Sequence, residues 1–302
     1  MRVYTHPDCL GHDPGTGHPE CPSRLAAVTG ALRDAFPGLD WREAPLAERL
    51  HVSRAHSRAV VERLFDADGQ ALRLDADTVM SSGSLQAALR ACGAAVAAVD
   101  AVVAGATLQA FCAVRPPGHH ATRDTAMGFC LFNSVAVAAC HAIEHHGLER
   151  VAIADFDVHH GNGTQDIFAH DPRVLYLSSH QSPLYPGTGE ADETGVGNVR
   201  NAPLPPGAGG AAFRAAWQDR LLPALDTFAP QLVLVSAGFD GHRLDPLADL
   251  GLDAEDYRWL ASGLARCADR HAGGRLVSLL EGGYSLTALR ECSVAHLRGL
   301  GA

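Results

Sequence analysis

Short apolar runs alternate with longer segments of helical periodicity along most of the chain. Five runs are near-continuous in apolar residues, at 109–114, 151–154, 174–178, 232–236 and 276–280. Apolar runs of this length predict strands that are buried on both faces of a parallel sheet. Strands that alternate with helices predict one α/β domain, over residues 1–302, with helices on both sides of the sheet.

Helical patterns fill the intervals between these strands and much of the N-terminal third. The predicted helices cover residues 23–36, 57–65, 84–103, 132–145, 210–227 and 254–272. The most apolar stretch, 93–114, contains Asp100 and two glycines. It therefore predicts a buried helix followed by a strand, and not a membrane span. The chain has no internal repeat and no low-complexity linker, which also favours one domain.

Composition and charge exclude several classes of protein. The chain has 302 residues, of which 47% are hydrophobic and 19% charged, so we expect a large core and little disorder. A net charge of −10 argues against nucleic acid as a partner. The first residues lack an apolar segment of signal-peptide length, so we expect a cytoplasmic protein. The eight cysteines form no CxxC pair and are expected to be reduced thiols, several of them in the core.

Polar and ionisable side chains follow each of the five predicted strands. The carboxyl ends of parallel strands meet at one edge of a sheet, where open α/β folds bind their ligands. These segments therefore predict a single site. In chain order, the residues concerned are His119 and His120, the stretch DFDVHHGNG at 155–163, His180 and Tyr185, Asp240 and His242, and Tyr284.

The stretch DFDVHHGNG predicts a metal site. If the chain stays extended after the strand, Asp155, Asp157 and His159 face one side and His160 faces the other. Asp240 could supply a third ligand, and three protein ligands leave room for water or substrate, as in catalytic zinc sites. The same set could hold ferrous iron. Taken alone, the motif would also fit a surface turn with a capping aspartate.

Metal-assisted hydrolysis needs side chains that move protons and stabilise charge. His119 and His120 can accept a proton from water and deliver one to a departing amine. Asp155 is a plausible partner that would fix the tautomer of one histidine and raise its pKa. Tyr284, after a Gly-Gly turn, could donate to an oxyanion opposite the metal.

Six further stretches stand out along the chain, and they are RPPGHHA, MGFCLFNSVAVAA, ADFDVHHGNGTQDIF, LYPGTGE, SAGFDGHRLDPLADL and LEGGY. Together they resemble the zinc-dependent histone deacetylase family, specifically its class II-like bacterial branch, and GHDPGTGHPECPSRL resembles the start of the same family. The resemblance runs from about His6 to Tyr284 and keeps the motif order. It implies the arginase/deacetylase fold, a single domain with a central eight-stranded parallel sheet flanked by helices, and the hydrolysis of acyl-lysine-type amides.

The resemblance implies a role for each matching position. The implied zinc ligands are Asp157, His159 and Asp240. The implied catalytic residues are His120 as the main general base and acid, His119 as its electrostatic assistant, Asp155 paired with His119, Asn162 behind His120, and Tyr284 as the group that polarises the carbonyl.

It also implies a substrate tunnel and two structural potassium sites. Phe129 and Tyr185 would form the tunnel walls, and Tyr185 stands where many members have Phe. The other implied substrate-binding residues are Gly128, Leu247 and Gly282, and Arg24 resembles the arginine of the acetate-release channel. The implied potassium sites lie near Asp155, Asp157, His159 and Ser178, and near Phe168, Asp171 and Val174.

The sequence leaves the substrate open. Leu247 lies where polyamine-preferring relatives have an acidic gatekeeper, which favours acyl-lysine peptides or proteins over acetylpolyamines or other small acylated amines. Asp75 and Asp77 lie near the family's rim acid. An inactive acyl-lysine binding module is a weaker alternative, because the implied catalytic set is complete. An arginase-like di-manganese hydrolase is also weaker, because the His119-His120 pair does not fit such an enzyme. The oligomeric state is not predicted.

Overall fold

The computed structural model of the chain describes residues 1–302 and has eight parallel strands in one sheet. The strand order is β2-β1-β5-β10-β9-β6-β7-β8, and the remaining strands, β3 and β4, form a small antiparallel hairpin. The predicted eight-stranded α/β fold is therefore confirmed. The strands are β1 Arg2–Thr5, β2 Asp40–Glu43, β3 Leu72–Arg73, β4 Val79–Met80, β5 Gln109–Cys112, β6 Val151–Asp155, β7 Val174–Gln181, β8 Val199–Leu204, β9 Leu232–Ala237 and β10 Leu276–Leu280.

Ten α-helices flank the sheet, and a five-residue π-helical segment, Trp217–Leu221, joins α7 to α8. The predicted helix 210–227 is therefore one continuous helical segment with a π-helical bulge in its middle. The helices are α1 Pro22–Ala35, α2 Arg49–Ala55, α3 Arg58–Asp66, α4 Ser84–Val103, α5 Ser134–Glu144, α6 Asn162–Phe168, α7 Gly210–Ala216, α8 Leu222–Phe228, α9 Ala254–His271 and α10 Leu286–Leu300. A short 3₁₀ turn, Pro7–Leu10, follows β1.

The five strands predicted from apolar runs are β5, β6, β7, β9 and β10. Strands β6, β7, β9 and β10 are buried along their whole length, which explains why their sequences are apolar without alternation. The apolar pattern did not reveal β1, β2 or β8. Strand β2 is an edge strand that is partly exposed, and β8 on the other edge contains Asn201 and Pro203, so neither has an unbroken apolar run.

Helix α4 is the most apolar helix and lies in the core. By length and composition it could cross a bilayer, but 72% of its most apolar window is buried inside the protein. The predicted pairing of a buried helix with a strand is therefore what the structure contains. All eight cysteines are free, and seven of them are buried, as expected for core thiols.

Four neighbouring strands present their carboxyl ends to the same place. Strand β6 pairs with β9, β9 with β10, and β10 with β5, all in parallel. Asp155 at the end of β6 is level with Ser236 of β9, and Leu280 at the end of β10 is level with Ala237. The segments that follow these strands therefore begin side by side, and they contain the predicted histidines, aspartates and Tyr284.

Candidate active site

Three buried side chains of metal-ligand type converge beyond the ends of β6 and β9. The candidate ligand atoms of Asp157, His159 and Asp240 all lie within 4.8 Å of one another. His159 Nδ1 is 3.2 Å from Asp157 Oδ1 and 3.2 Å from Asp240 Oδ2. His160 faces away, toward Thr188 and Gln165. The chain bends at residues 157–159 and does not stay extended as expected, yet His159 and His160 still face opposite ways.

Backbone N–H groups fix both carboxylates of this group. Asp157 Oδ2 accepts a hydrogen bond from the Gly282 N–H at 2.8 Å, and Asp240 Oδ1 accepts one from Val158 at 2.8 Å. A Cβ on Gly282 would lie 2.1 Å from Asp240 Oδ2, so only glycine permits this close approach. The Gly-Gly turn is therefore part of the site's architecture.

The electrostatics of the group favour a cation. The pKa of Asp240 is raised to about 7, because burial and the Asp157 carboxylate disfavour its charged form. Although burial disfavours an imidazolium, hydrogen bonds and attraction from the two carboxylates raise the pKa of His159 to about 10. The two buried carboxylates hold the nearby imidazole in its charged form, and a divalent cation among them would supply the same compensation. Carboxylate oxygens and an imidazole nitrogen are ligands that zinc uses.

The two adjacent histidines sit in different electrostatic environments. His119 Nδ1 is 3.1 Å from Asp155 Oδ2, and its Nε2 is 3.7 Å from Asp157 Oδ1. Burial would lower the pKa of His119, but these carboxylates raise it to about 10. Burial and the nearby His119 and His159 lower the pKa of His120 well below its usual value. At neutral pH His119 is therefore charged and His120 neutral.

Asn162 determines the tautomer of His120. Its Oδ1 lies 2.8 Å from His120 Nδ1, while its Nδ2 donates to Met127 Sδ at 3.4 Å. Because the amide oxygen faces the ring, Nδ1 of His120 bears the proton and Nε2 has a free lone pair. Neutral His120 can therefore accept a proton at Nε2.

Tyr284 is held from both sides of its turn. Its backbone N–H donates to Asp245 Oδ2 at 2.6 Å. The Arg24 guanidinium lies 4.9 Å from its ring centroid and donates to the carbonyl oxygen of Gly283 at 2.6 Å. Burial raises the pKa of Tyr284 well above its usual value, so the hydroxyl keeps its proton. Arg24 is fully buried and lies behind Tyr284, not in the cavity described next.

A cavity of about 230 Å³ opens from His120 and His159 to the surface. Phe129 and Tyr185 line it, and Tyr185 at its mouth is 38% exposed. The rim includes one carboxylate, Asp77, whose pKa burial and the Asp75 side chain raise. The full lining is Asp77, His120, Gly128, Phe129, His159, Leu184, Tyr185, Leu247 and Tyr284.

Sequence reasoning missed Glu281, a fully buried residue beneath the site. Its Oε2 accepts hydrogen bonds from the backbone N–H groups of Gly118 at 2.6 Å and His119 at 3.2 Å, and its Oε1 accepts one from Ser236 at 3.2 Å. Burial raises the pKa of Glu281 to about 7. Glu281 thus fixes the turn that presents both histidines. Its position directly after β10 was the only sequence signal.

A second missed group is the buried ion cluster behind Tyr284. Glu20 bonds Arg24 at 3.0 Å and Arg115 at 2.6 and 2.8 Å, and His12 lies 3.2 Å away. Burial would raise the pKa of Glu20, but the His12 hydrogen bond and the two arginines lower it. This cluster ties the start of α1 to the segment after β5. Tyr176, which donates to Asp155 Oδ2 at 3.0 Å, was also missed.

The residues implied for potassium fall into two separate groups. Asp155 and Ser178 pair in the β6–β7 register, close to Asp157 and His159. The carbonyl oxygens of the other group, Phe168, Asp171 and Val174, converge on the side chain of Asn198. Its Nδ2 lies 2.8, 3.0 and 2.8 Å from them, respectively.

Comparisons with known proteins agree on the family. The histone deacetylase domain matches residues 18–300. The chain is 42% identical to a histone deacetylase-like amidohydrolase of Pseudomonas aeruginosa, over 94% of this chain and 77% of that protein. It is 39% identical to histone deacetylase 14, chloroplastic, of Arabidopsis thaliana, over 99% of this chain and 76% of that one.

The fold gives the same result. The crystal structure of the HDA15 HD domain matches with a TM-score of 0.93 and 34% identity, and the match covers 99% of this chain and 87% of that one. Fold, order of motifs and sequence identity therefore converge on one assignment: the chain belongs to the histone deacetylase family and is an amidohydrolase of that family.

Proposed function

We propose that the protein is a zinc-dependent deacylase that removes acetyl or similar short acyl groups from lysine side chains of peptides or proteins. The observation that supports it best is the convergence of Asp157, His159 and Asp240 beneath a cavity lined by Phe129 and Tyr185. A cavity with this volume and these aromatic walls suits an unbranched apolar stem that ends in a small amide.

The proposed ligands are Asp157, His159 and Asp240, because they combine hard and borderline donors with full burial. When bound there, a zinc ion would polarise the acyl carbonyl and lower the pKa of water. Ferrous iron fits the same donors.

Proton transfer is assigned to His120. It is neutral and faces the cavity, and Asn162 holds its proton on Nδ1, so Nε2 can take a proton from the attacking water and pass it to the departing amine. His119 is charged and paired with Asp155, so it acts as a fixed positive charge that stabilises developing negative charge. Tyr284, still protonated, donates its O–H to the carbonyl oxygen as that oxygen becomes negative.

The substrate preference rests on the cavity lining. Leu247 presents an apolar side chain where an acidic gatekeeper would attract a polyamine, and this supports an acyl-lysine substrate. Gly128 has a φ of 57° and lies against the His120 ring, so the wall at this point is backbone only. The Asp77 carboxylate at the rim is placed to accept backbone N–H groups of a peptide.

The second candidate is an amidohydrolase of acetylated polyamines. The single favouring observation is the same Asp77, because a carboxylate at the mouth can also bind a distant ammonium group. The cytoplasmic location stays a prediction, since relatives include proteins named chloroplastic.

The deciding experiment compares an acetyl-lysine peptide with acetylputrescine, using zinc-reconstituted protein and a chelated control. We expect chelator-sensitive turnover, with kcat/KM for the peptide well above that for acetylputrescine. The reverse order would assign the protein to polyamine substrates. Turnover that survives complete metal removal would contradict the proposed mechanism.

The pH profile should respond to Asn162. A carboxylate at this position would attract the His120 proton and raise the pKa of His120 from its low value. Activity that needs neutral His120 is lost as the pH falls through that pKa. In Asn162→Asp the acid limb of kcat/KM should therefore move to higher pH, while Asn162→Ala should not move it in that direction. An unchanged acid limb in Asn162→Asp would remove His120 from the role of base.

At the second implied potassium site, the residues do not fit a cation, because the Asn198 amide nitrogen occupies the point where the three carbonyl groups converge. Asn198→Ala would remove the donor that these three oxygens share, although those of Phe168 and Asp171 keep backbone donors, so the expected cost is roughly 0.5–1.5 kcal/mol. We expect the melting temperature of the variant to fall in tetramethylammonium chloride and to recover in potassium chloride. A wild-type protein that gains as much from potassium as the variant would contradict this.

A further inference from the structure

Helices α4 and α5 bring four potential metal ligands together outside the active site. Asp100 lies near the end of α4, His141 on the last turn of α5, and His145 and His146 directly after it. One candidate ligand atom from each lies within 4.8 Å of all the others. We call this group the α4–α5 histidine cluster.

The cluster is well separated from the proposed catalytic group. Helix α5 begins at the active-site edge of the sheet, where the side chain of Asn133 donates to the carbonyl oxygen of Ala121 at 3.1 Å. Its 11 residues span roughly 16 Å. The cluster lies at the other end of this helix.

The imidazole groups surround a single carboxylate oxygen. His141 Nε2 and His146 Nε2 both lie 2.7 Å from Asp100 Oδ1. The His145 ring stacks on His141 with centroids 4.8 Å apart and an interplanar angle of 12°. One carboxylate oxygen therefore lies within hydrogen-bond distance of two imidazole nitrogens, and the third imidazole packs beside them.

Burial differs along the cluster in a way that suits metal entry. The His141 side chain is only 4% exposed, whereas Asp100 is 50% exposed and His146 is 19% exposed. A buried inner ligand with more exposed outer ligands gives a hydrated ion a path into the cluster. Three imidazoles and one carboxylate are a donor set that zinc, copper(II) and nickel(II) all accept.

Arg54 opposes a cation in this position. Its Nη1 lies 3.1 Å from His141 Nδ1, and its Nε pairs with Glu144 at 3.0 Å. Because the guanidinium only donates, it directs the His141 proton to Nε2, the atom that faces Asp100. Metal binding at Nε2 requires that proton to move to Nδ1, which removes the acceptor of the Arg54 contact, so Arg54 lowers the affinity of the cluster.

We propose that the α4–α5 histidine cluster is a second divalent-metal site, which binds zinc or another borderline transition metal ion and links the end of α4 to the end of α5. The site does not depend on the proposed catalytic metal, since the two groups share no residue. Binding draws the carboxylate and the three imidazoles around one ion and replaces the hydrogen bonds that now join them with metal–ligand bonds, while each imidazole keeps a proton on the nitrogen that faces away from the ion.

The test counts zinc ions per chain in the full-length protein by mass spectrometry after equilibration and gel filtration. His145→Gln/His146→Gln removes two outer ligands and keeps buried His141, and His170→Gln is the matched control at an exposed histidine outside the cluster. We expect the double variant to bind one zinc fewer than both wild type and the control, with unchanged deacylase activity. Equal zinc content in the double variant and wild type would overturn the proposal.

A two-by-two design keeps this result separate from the catalytic site. Asp240→Asn alone should remove the zinc ion of the proposed catalytic site. If the proposed function is wrong, only the zinc content of the Asp240→Asn variant departs from expectation, and the result for the His145→Gln/His146→Gln variant still stands. Cobalt(II) absorption spectra of the Asp240→Asn protein should show the visible bands of a low-coordinate nitrogen and oxygen site.

Arg54 provides a second test, in which a substitution is expected to tighten zinc binding and not to abolish it. Arg54→Ala removes a positive charge and a competing donor, so zinc titrations of the Asp240→Asn protein should show several-fold tighter binding when this change is added. General disruption of the helix pair could only weaken binding. Weaker binding in Arg54→Ala would contradict the assigned role of the cluster.

Discussion

Tyr284→Phe is expected to lower kcat for an acetyl-lysine peptide by about 100- to 1,000-fold, the usual cost of removing one donor to a developing oxyanion. KM should change little, because the hydroxyl is assigned to the transition state and not to the ground state. Zinc content should stay at the wild-type level, since Tyr284 is not among the proposed ligands. Steady-state kinetics with metal analysis on the same preparation measures all three.

Tyr185→Phe is the matched control, because it removes a second tyrosine hydroxyl from the same cavity. Tyr185 lies at the mouth, with its ring 5.1 Å from that of His120, and many members of the family have Phe at this position. We expect near wild-type turnover in this control. If both variants lose activity equally, the effect arises from packing, and Tyr284 is not the oxyanion donor.

The sequence predicted the central sheet because its strands are buried on both faces. An unbroken apolar run such as Val151 to Ala154 is too short to cross a membrane, so it has few interpretations other than a buried strand. The apolar pattern did not predict the edge strands β2 and β8, because residues on an edge strand are partly exposed to solvent and need not be apolar. Arg200 in β8 is exposed and breaks the pattern, although its neighbours on the strand are buried.

The reactive residues were predictable for a related reason. Parallel strands place their carboxyl ends at one edge, so side chains far apart in the chain meet without any special signal. Asp157 and Asp240 are 83 positions apart by number, yet both contact His159. Spacing within DFDVHHGNG predicted two of the candidate metal ligands, and the topology of the sheet predicted the third.

The supporting residues could not be predicted, because their partners are backbone atoms or distant charges. In the sequence, Glu281 is an acidic residue directly after a strand. No neighbouring residue indicates that its carboxylate accepts hydrogen bonds from the N–H groups of Gly118 and His119. Glu20 and Arg24 have the spacing of an exposed helical pair. Their burial depends on Arg115, 95 residues from Glu20 in the chain.

Asp240→Asn is expected to abolish zinc binding at the active site and with it deacylation. The substitution keeps the shape and the acceptor for the Val158 N–H, but it removes one of the two charges that would hold the ion. Loss of a direct ligand should cost more than the 10- to 100-fold in affinity that is typical of outer partners, so we expect a loss of more than about 100-fold. Competition with a zinc chelator measures this, in a His145→Gln/His146→Gln background that removes the second site.

The melting temperature of the metal-free protein tests the role of Asp240 in a second way, because without metal the Asp240→Asn substitution is not expected to destabilise the protein. The Asp240 pKa, raised to about 7, means that ionising this carboxyl destabilises the folded protein, and that this penalty builds up as the pH rises from about 4 to about 7. At pH 8 with chelator, Asp240→Asn should therefore melt no lower than wild type, because a neutral amide replaces a carboxylate repelled by Asp157. In excess zinc the order should reverse, since only wild type gains from binding at this site. A variant that melts lower without metal and still rises with zinc would show that Asp240 supports the fold and does not bind the ion.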